Sequence, residues 1–473
     1  MLFPTLDFLL FFVAVLALLV PLARLQEARK LMLAAASYVF YAQWNWHYCL
    51  LLAGSSLLTY GGGMAIGGTR SDAARRAIVG VTVGLHLLLL STFKYLDFLV
   101  GSANEALHAL GTGRELPFME IILPVGISFF TFHGISYLVD VYRGDVAVCK
   151  RLTDILLYLS FFPQLVAGPI VRASFFLPQL AAPPPVRVPV AEPVLLILGG
   201  LFKKVVIATY LATDLVDPVF FDPSRYGSVD LLLAAYGYAV QIYCDFSAYT
   251  DIAIGLAALL GYRFPINFNQ PYRARSLREF WQRWHISLSS WLRDYLYKPL
   301  GGSRGGGWFT ARNLMITMLL GGIWHGAAWK FVAWGGLHGA GLVAERWWRP
   351  WDRLSATRLG RLVALLVVFH IVCLGWILFR ADSFATVVVY LATLVQAAPT
   401  VSQATPFTVG LIVLGLALHA VPRDVPGRLA RRIGERPTWM WAVATGLGIA
   451  LIDALGPDGV APFIYFNSSE VGT

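Results

Sequence analysis

Apolar residues run in long stretches along this chain, and short basic loops separate the stretches. A helix that crosses a bilayer needs about 20 apolar residues. Candidate helices cover 5–23, 31–43, 46–66, 77–100, 120–140, 193–216, 229–260, 309–331, 332–347, 359–380, 384–398, 406–422 and 438–455. Some of these are too short to cross alone, so the pattern predicts about eleven full crossings. The fold class expected is an all-α polytopic membrane protein with re-entrant and interfacial helices. Leu6 to Val20 has no positive residue before it and no small-residue cleavage pattern after it, so it reads as a retained helix.

Two segments depart from plain spans. Segment 152–171 begins and ends among basic residues and contains Phe162-Pro163-Gln164 and Ala167-Gly168-Pro169, which break a helix. It reads as a re-entrant loop, tolerated at membrane depth only where protein or a wet cavity covers it. Segment 181–193 carries Pro183, Pro184, Pro185, Pro189 and Pro193 and reads as a stiff linker. The chain is expected to form a single domain over 1–473. Helices and the re-entrant loop fill 1–180, the densest chemistry lies in 193–347, and 358–473 supplies scaffold helices. No internal repeat of the kind that marks transporter halves is evident.

Composition narrows the class. The 473 residues are 57% hydrophobic and 14% charged, with 15 Trp, 20 Tyr and 30 Phe, against about 25% charged in a soluble domain. Disorder, collagen, a disulfide scaffold and a nucleic-acid module are excluded. The net charge of +10 sits in loops, as the positive-inside rule expects. Placing Arg24, Arg29 and Lys30, then Arg70, Arg75 and Arg76, then Arg143, Lys150 and Arg151 in the cytoplasm puts the amino terminus outside. Cys49, Cys149, Cys244 and Cys373 show no metal-ligand spacing, and no metal site is expected.

Chemistry concentrates after the linker. Between Arg273 and Arg312 lie Arg273, Arg275, Arg278, Arg283, Arg293, Lys298, Arg304 and Arg312, opposed only by Glu279 and Asp294. At 100° per residue, Leu277, Phe280, Trp281, Trp284, Leu288, Trp291, Leu292 and Tyr295 share one face, and Arg275, Arg278, Gln282, Ser289 and Arg293 the other. This is the pattern of an interfacial amphipathic helix, with His285 at the boundary of its faces. Such a helix can bind anionic lipid, or it can form a cationic mouth for an acidic cytoplasmic ligand.

The following helix repeats Asn313, Thr317, Gly321 and His325 every four residues. His325 lies about 20 Å along the axis from Arg312, which puts an imidazole near mid-membrane. Intramembrane ionisable residues are functional candidates by default. Gly321 and Gly322 allow close approach of another helix or a substrate. His86, His338, His370 and His419 read as isolated structural histidines, and the reading of His133 stays open.

Phe280-Trp281-Gln282-Arg283-Trp284-His285-Ile286-Ser287-Leu288-Ser289 and Gly321-Gly322-Ile323-Trp324-His325-Gly326-Ala327 resemble signatures of the membrane-bound O-acyltransferase family. The stretches 123–132, 140–144, Phe162 to Ile170, Leu201-Phe202-Lys203-Lys204-Val205-Val206-Ile207, 245–251 and Pro462 to Phe466 resemble its subgroup that modifies alginate and other exopolysaccharides. His133 departs from the subgroup, where Gln is common, and so does the ending Asn467-Ser468-Ser469. The resemblance implies a helical bundle pierced by a tunnel with His325 as the principal catalytic histidine and His285 as the second, toward the cytoplasm.

The implied reaction is acyl transfer, of an acetyl group first of all, from a cytoplasmic thioester such as acetyl-CoA or an acyl carrier protein. His325 would act as general base toward a hydroxyl that enters from outside, or the histidine region would relay the acyl group covalently. His285 with Arg275, Arg278, Arg283 and Arg293 would position the donor. Asn313, Thr317, Trp324, Asp245, Tyr249 and Asp251 are the expected tunnel-lining or orienting groups. No bound cofactor is expected. Expected partners are the bilayer of the bacterial cytoplasmic (inner) membrane and an extracytoplasmic acyltransferase that acts on polysaccharide, as the resemblance implies. A D-alanyl transferase using a carrier protein is an alternative within the family. A transporter or flippase is the competing class.

Overall fold

Residues 3–166, 168–182, 190–348, 357–422, 425–434, 436–457 and 459 are described by a computed structural model. Pro183 to Pro189 of the expected linker, Ala167 of the re-entrant loop, and the terminal pieces Pro462 to Phe466 and Asn467-Ser468-Ser469 lie outside the described residues. Every regular element among the described residues is a helix. Among the described residues five helical stretches are long and apolar enough to cross a membrane: His47–Gly68, Asp72–Ala109, Ala191–Phe221, Ser228–Leu259 and Arg358–Arg380.

The chain divides into two compact units. The first holds α1 (Leu6–Leu19), α2 (Gln26–Asn45), α3 (His47–Gly68), α4 (Asp72–Ala109), α5 (Ile127–Arg143), α6 (Leu152–Ser160), α7 (Phe162–Leu165) and α8 (Ala173–Ala181), together with Ala257–Pro265. The span expected over 120–140 starts only at Ile127, because Pro124 and the left-handed Gly126 (φ 77°) end the preceding extended segment. Segment 152–171 opens as two short helices broken at Phe161, and several of its polar groups are met by protein. Phe162 N donates to Ser37 Oγ (3.1 Å), Gln164 Nε2 to the Tyr158 carbonyl (2.7 Å) and Tyr158 Oη to the Val171 carbonyl (3.0 Å). His133 belongs to this cover: its Nε2 accepts from Val171 N at 3.1 Å.

The second unit holds α9 (Ala191–Phe221), most of α10 (Ser228–Leu259), α11 (Leu277–Arg283), α12 (Ile286–Leu292), α13 (Gly307–His325), α14 (Trp329–Trp347), α15 (Arg358–Arg380), α16 (Phe384–Gln396), α17 (Pro406–Ala417), α18 (Val425–Ile433) and α19 (Thr438–Leu455). All the predicted site residues fall in this unit. Two sequence expectations are corrected here. The continuous amphipathic helix over the basic segment is two seven-residue helices with an elbow at Trp284-His285, since His285 adopts φ 40°, ψ 56° and cannot continue a right-handed helix. The helix expected over 309–331 ends at His325. Gly326 is extended (φ −169°), and the chain turns back into α14.

Candidate functional site

His285 stands at the elbow between α11 and α12, and its backbone explains why it is held there. A non-glycine residue in the left-handed region costs roughly 1–2 kcal/mol, so neighbours must fix it. Asn267 does so from the extended strap before α11. The Asn267 carbonyl accepts from Ile286 N (2.9 Å), and its side-chain Oδ1 accepts from Ser287 N (3.1 Å) and Ser287 Oγ (2.9 Å). Asn269 N closes the strap on the Arg283 carbonyl at 2.8 Å. The imidazole is fully buried, with the Phe246 ring edge-on at 4.6 Å and the Trp324 ring at 5.9 Å. Among the described residues neither ring nitrogen has a hydrogen-bond partner. The elbow lies in none of the five candidate spans, and burial pushes the imidazole down to about 3, so it is neutral at pH 7.

His325 closes α13 and is half-buried, in contrast to His285. Its ring meets Trp324 at 5.0 Å, Trp334 at 5.0 Å and Phe379 at 5.4 Å, each near edge-on. Trp324 thus touches both histidines. The hairpin of α13 and α14 that carries His325 packs backbone against backbone. A Cβ on Gly322 would lie 2.2 Å from the Phe331 carbonyl oxygen, and one on Gly335 2.4 Å from that of Met318. Gly321 faces the other way, where a Cβ would meet Leu292 of α12 at 3.2 Å. The predicted close approach at Gly321-Gly322 is real, and the partner elements are α12 and α14.

The remaining predicted residues divide. Asp245 and Asp251 on α10 are ion-paired, Asp245 with Lys204 at 2.8 Å and Asp251 with Lys203 at 2.6 Å. Lys203 Nζ also donates to Ser247 Oγ (2.8 Å), and Lys204 Nζ lies 5.8 Å from the Tyr249 ring centre. Lys203 opens a π-helical turn, Lys203–Ala208, whose wider pitch lets two consecutive lysines address one neighbouring helix. Those lysines sat inside a quoted motif, yet reasoning on charge spacing missed them because their partners lie about forty residues away. Asn313 is a brace for the glycine-rich loop: its Nδ2 donates to the Gly302 carbonyl (2.9 Å), and its Oδ1 accepts from Arg312. Thr317 Oγ1 donates to the Asn313 carbonyl within the helix at 2.7 Å.

The four arginines also separate. Arg283 is held by Glu279 (2.8 Å) and the Asn269 carbonyl (3.1 Å), and Arg293 pairs with Asp294 at 3.0 Å. Arg275 and Arg278 are exposed. A cavity of about 480 Å³ in this unit is lined by Tyr272, Arg273, Leu365, Phe369, Leu416 and His419 among others, and none of the predicted site residues borders it. Among the described residues no group of three His, Cys, Asp or Glu is placed to hold a metal.

The fold is helical throughout the described residues, with five apolar spans, and Trp324 stands against both His285 and His325. The chain belongs to the membrane-bound O-acyltransferase family, whose model matches residues 150–385, and it is an O-acyltransferase. It is 43% identical over 363 residues to the probable alginate O-acetylase AlgI of Pseudomonas aeruginosa, covering 76% of this chain and 68% of that protein. A peptidoglycan O-acetyltransferase of Helicobacter pylori is 35% identical over 75% of this chain and 71% of its own length. A teichoic acid D-alanyltransferase of Bacillus subtilis is 28% identical over 56% of this chain and 70% of its own.

Proposed function

We propose that this chain, working as one acyltransferase domain with about eleven crossings and a central tunnel, moves an acetyl group from a cytoplasmic thioester toward an extracytoplasmic polysaccharide in the bacterial inner membrane. The immediate acceptor is a polymer hydroxyl or a partner acetyltransferase that finishes the transfer. The observation that carries the reading is His325, which is half-buried at the end of α13 and walled by Trp324, Trp334 and Phe379. An imidazole so placed can meet a substrate while its ring orientation is fixed.

In the proposed step the acceptor hydroxyl gives its proton to neutral His325 as its oxygen attacks the thioester carbonyl. The tetrahedral intermediate collapses, the C–S bond breaks, and the thiolate leaves with the proton returned by the imidazolium. A positioned base of this kind contributes roughly a hundred- to ten-thousand-fold in rate. His285 stays neutral and serves as a hydrogen-bonding group on the donor side. Arg275 and Arg278 attract the acidic donor over its approach. Asp245 and Asp251 hold Lys204 and Lys203, and Tyr249, Trp324, Asn313 and Thr317 keep the surrounding helices in register.

The alginate O-acetylases and the peptidoglycan O-acetyltransferase among the relatives favour acetyl transfer to a polysaccharide. The D-alanyltransferase keeps a carrier-protein donor as the second reading. The test is to offer purified protein either acetyl-CoA labelled in the acetyl group or a charged carrier protein. Consumption of acetyl-CoA with release of free thiol supports the proposal. Consumption of the carrier thioester alone selects the second reading. Movement of intact substrate with neither consumed would return the chain to the transporter class.

A further inference from the structure

Arg29 sits in the first turn of α2 and is only 8% exposed, which is rare for an arginine that has no acidic partner. Its neighbour Lys30 is buried as well, but Lys30 is neutralised: Nζ lies 2.6 Å from Asp154 and 2.8 Å from Glu27. Among the described residues no carboxylate pairs with Arg29. Its Nη2 donates to the Leu260 carbonyl, and its guanidinium lies 5.4 Å from the centre of the Tyr262 ring. One carbonyl leaves most of the five N–H donors of the guanidinium unspent. Taking an unpaired charge out of water is costly, so a ligand that meets those donors has much to offset.

Arg29 lines a cavity of about 420 Å³ within the first unit, a volume in the range of small-ligand sites. Its walls come from α2, α8 and the turn 261–263 that follows α10, and two glutamines fix them. Gln26 Nε2 donates to the Leu180 carbonyl at 2.8 Å and ties the end of α8 to α2. Gln179 Oε1 accepts from Arg263 N (2.7 Å) while its Nε2 donates to the Arg263 carbonyl (3.1 Å), which clamps the turn to α8. The clamp brings Arg263 to the same cavity, where its side chain is exposed and again meets no carboxylate among the described residues. No Asp or Glu among the described residues lines the cavity, whereas Phe175 and Leu180 give it an apolar side.

We propose that this cavity binds a phosphate group carried on a small organic molecule, either the headgroup of an anionic phospholipid or a soluble phosphate ester. Phosphate oxygens accept paired N–H bonds from a guanidinium fork, and such charge-assisted bonds are about twice as strong as neutral ones. Arg29 and Arg263 supply two forks, and a phosphate has oxygens enough for both. Tyr262 backs the Arg29 plane. Glu27 and Asp154, the nearby acids, are taken by Lys30 and do not oppose an anion. The apolar side receives the carbon part of the ligand. The site lies in the first unit and does not depend on the reading of His325.

The experiment uses the full chain purified in a maltoside detergent, which carries no phosphate, and the variants Arg29→Lys, Arg263→Gln and Arg24→Gln. Arg24 is the control: it is exposed and lines no part of the cavity. Two probes are titrated, phosphatidylglycerol followed by native mass spectrometry and coenzyme A followed by calorimetry. One of them is expected to fill a saturable site that Arg263→Gln weakens about tenfold, the worth of one charge-assisted hydrogen bond. Arg29→Lys should weaken it several-fold, since an ammonium keeps the charge and loses the fork. Arg24→Gln should leave it unchanged. Melting without ligand checks that each variant is folded, and the exposed position of Arg263 keeps the test decisive if Arg29→Lys does not fold. A site filled by phosphatidylglycerol and not by coenzyme A assigns the phosphate to the bilayer, and the reverse assigns it to a soluble ester. Binding of neither probe, binding unmoved by Arg263→Gln, or binding weakened equally by Arg24→Gln overturns the site.

Discussion

The α11–α12 elbow and the tip of the α13–α14 hairpin each present a histidine, and they hold it by different means. At the elbow, His285 is fully buried, its backbone is left-handed, and Asn267 pins the two residues that follow it. At the tip, His325 is half-buried, its backbone is ordinary helix, and the rings of Trp324, Trp334 and Phe379 stand around it. A group that must exchange a proton with a substrate needs access and a ring free to take charge. A group that only presents a hydrogen bond can be sealed in. The two settings thus suit different tasks for residues of one type, and Trp324 stands against both rings.

The first way to break that comparison is to remove the accessible partner. His325→Ala is expected to lower kcat by roughly a hundred- to ten-thousand-fold with the protein still folded. A comparable loss at unchanged melting in His285→Ala would erase the distinction between the two.

A second test attacks the hairpin's packing without touching a polar group. Gly322→Ala would place a methyl 2.2 Å from the Phe331 carbonyl oxygen. Forcing the helices apart is expected to cost about 1–3 kcal/mol of stability. Thermal melting in nanodiscs reads the cost, and unchanged melting would mean that the close crossing is not needed.

The elbow is probed through its brace. Asn267→Ala removes the acceptor of two hydrogen bonds from Ser287. The expected cost is about 1–3 kcal/mol, with a fall in kcat of several-fold as His285 loses its fixed direction. Asn267→Asp keeps the acceptor and should restore much of both.

The smallest expected effect is also the most selective. Arg275→Gln with Arg278→Gln should raise donor KM a few-fold and flatten its dependence on salt, since exposed charges are screened over about 8 Å at physiological ionic strength. The pair Arg283→Gln with Arg293→Gln should leave KM near its starting value and lower melting instead, because those side chains are held by Glu279 and Asp294. Unchanged KM in the first pair would reduce the basic segment to a lipid anchor.

Much of this was legible in the sequence because bilayer spans and family motifs are local. The bounds of α15 and α19 lie within a residue of the apolar runs 359–380 and 438–455, and the motif histidines lie in one unit. Periodicity failed at His285, where a left-handed residue breaks a pattern whose faces are otherwise right: Trp284, Leu288 and Trp291 are buried while Arg275, Arg278 and Arg293 are exposed. It failed again at His325, because an apolar run does not record a tight turn within itself. The polar stripe of Asn313 and Thr317 is visible in the spacing, whereas the backbone partners of both side chains are not. The pairs of Lys203 and Lys204 with α10 depend on contacts between distant segments that no spacing rule encodes.

The central claim is that the accessible histidine performs acyl transfer. It is tested most directly by counting thiol released from acetyl-CoA by purified wild-type protein and by His325→Ala, matched for quantity and melting, with an acceptor polysaccharide and the partner acetyltransferase supplied. Steady, acceptor-dependent release is expected from the wild type and none above background from the variant. Equal release by the two proteins would contradict it.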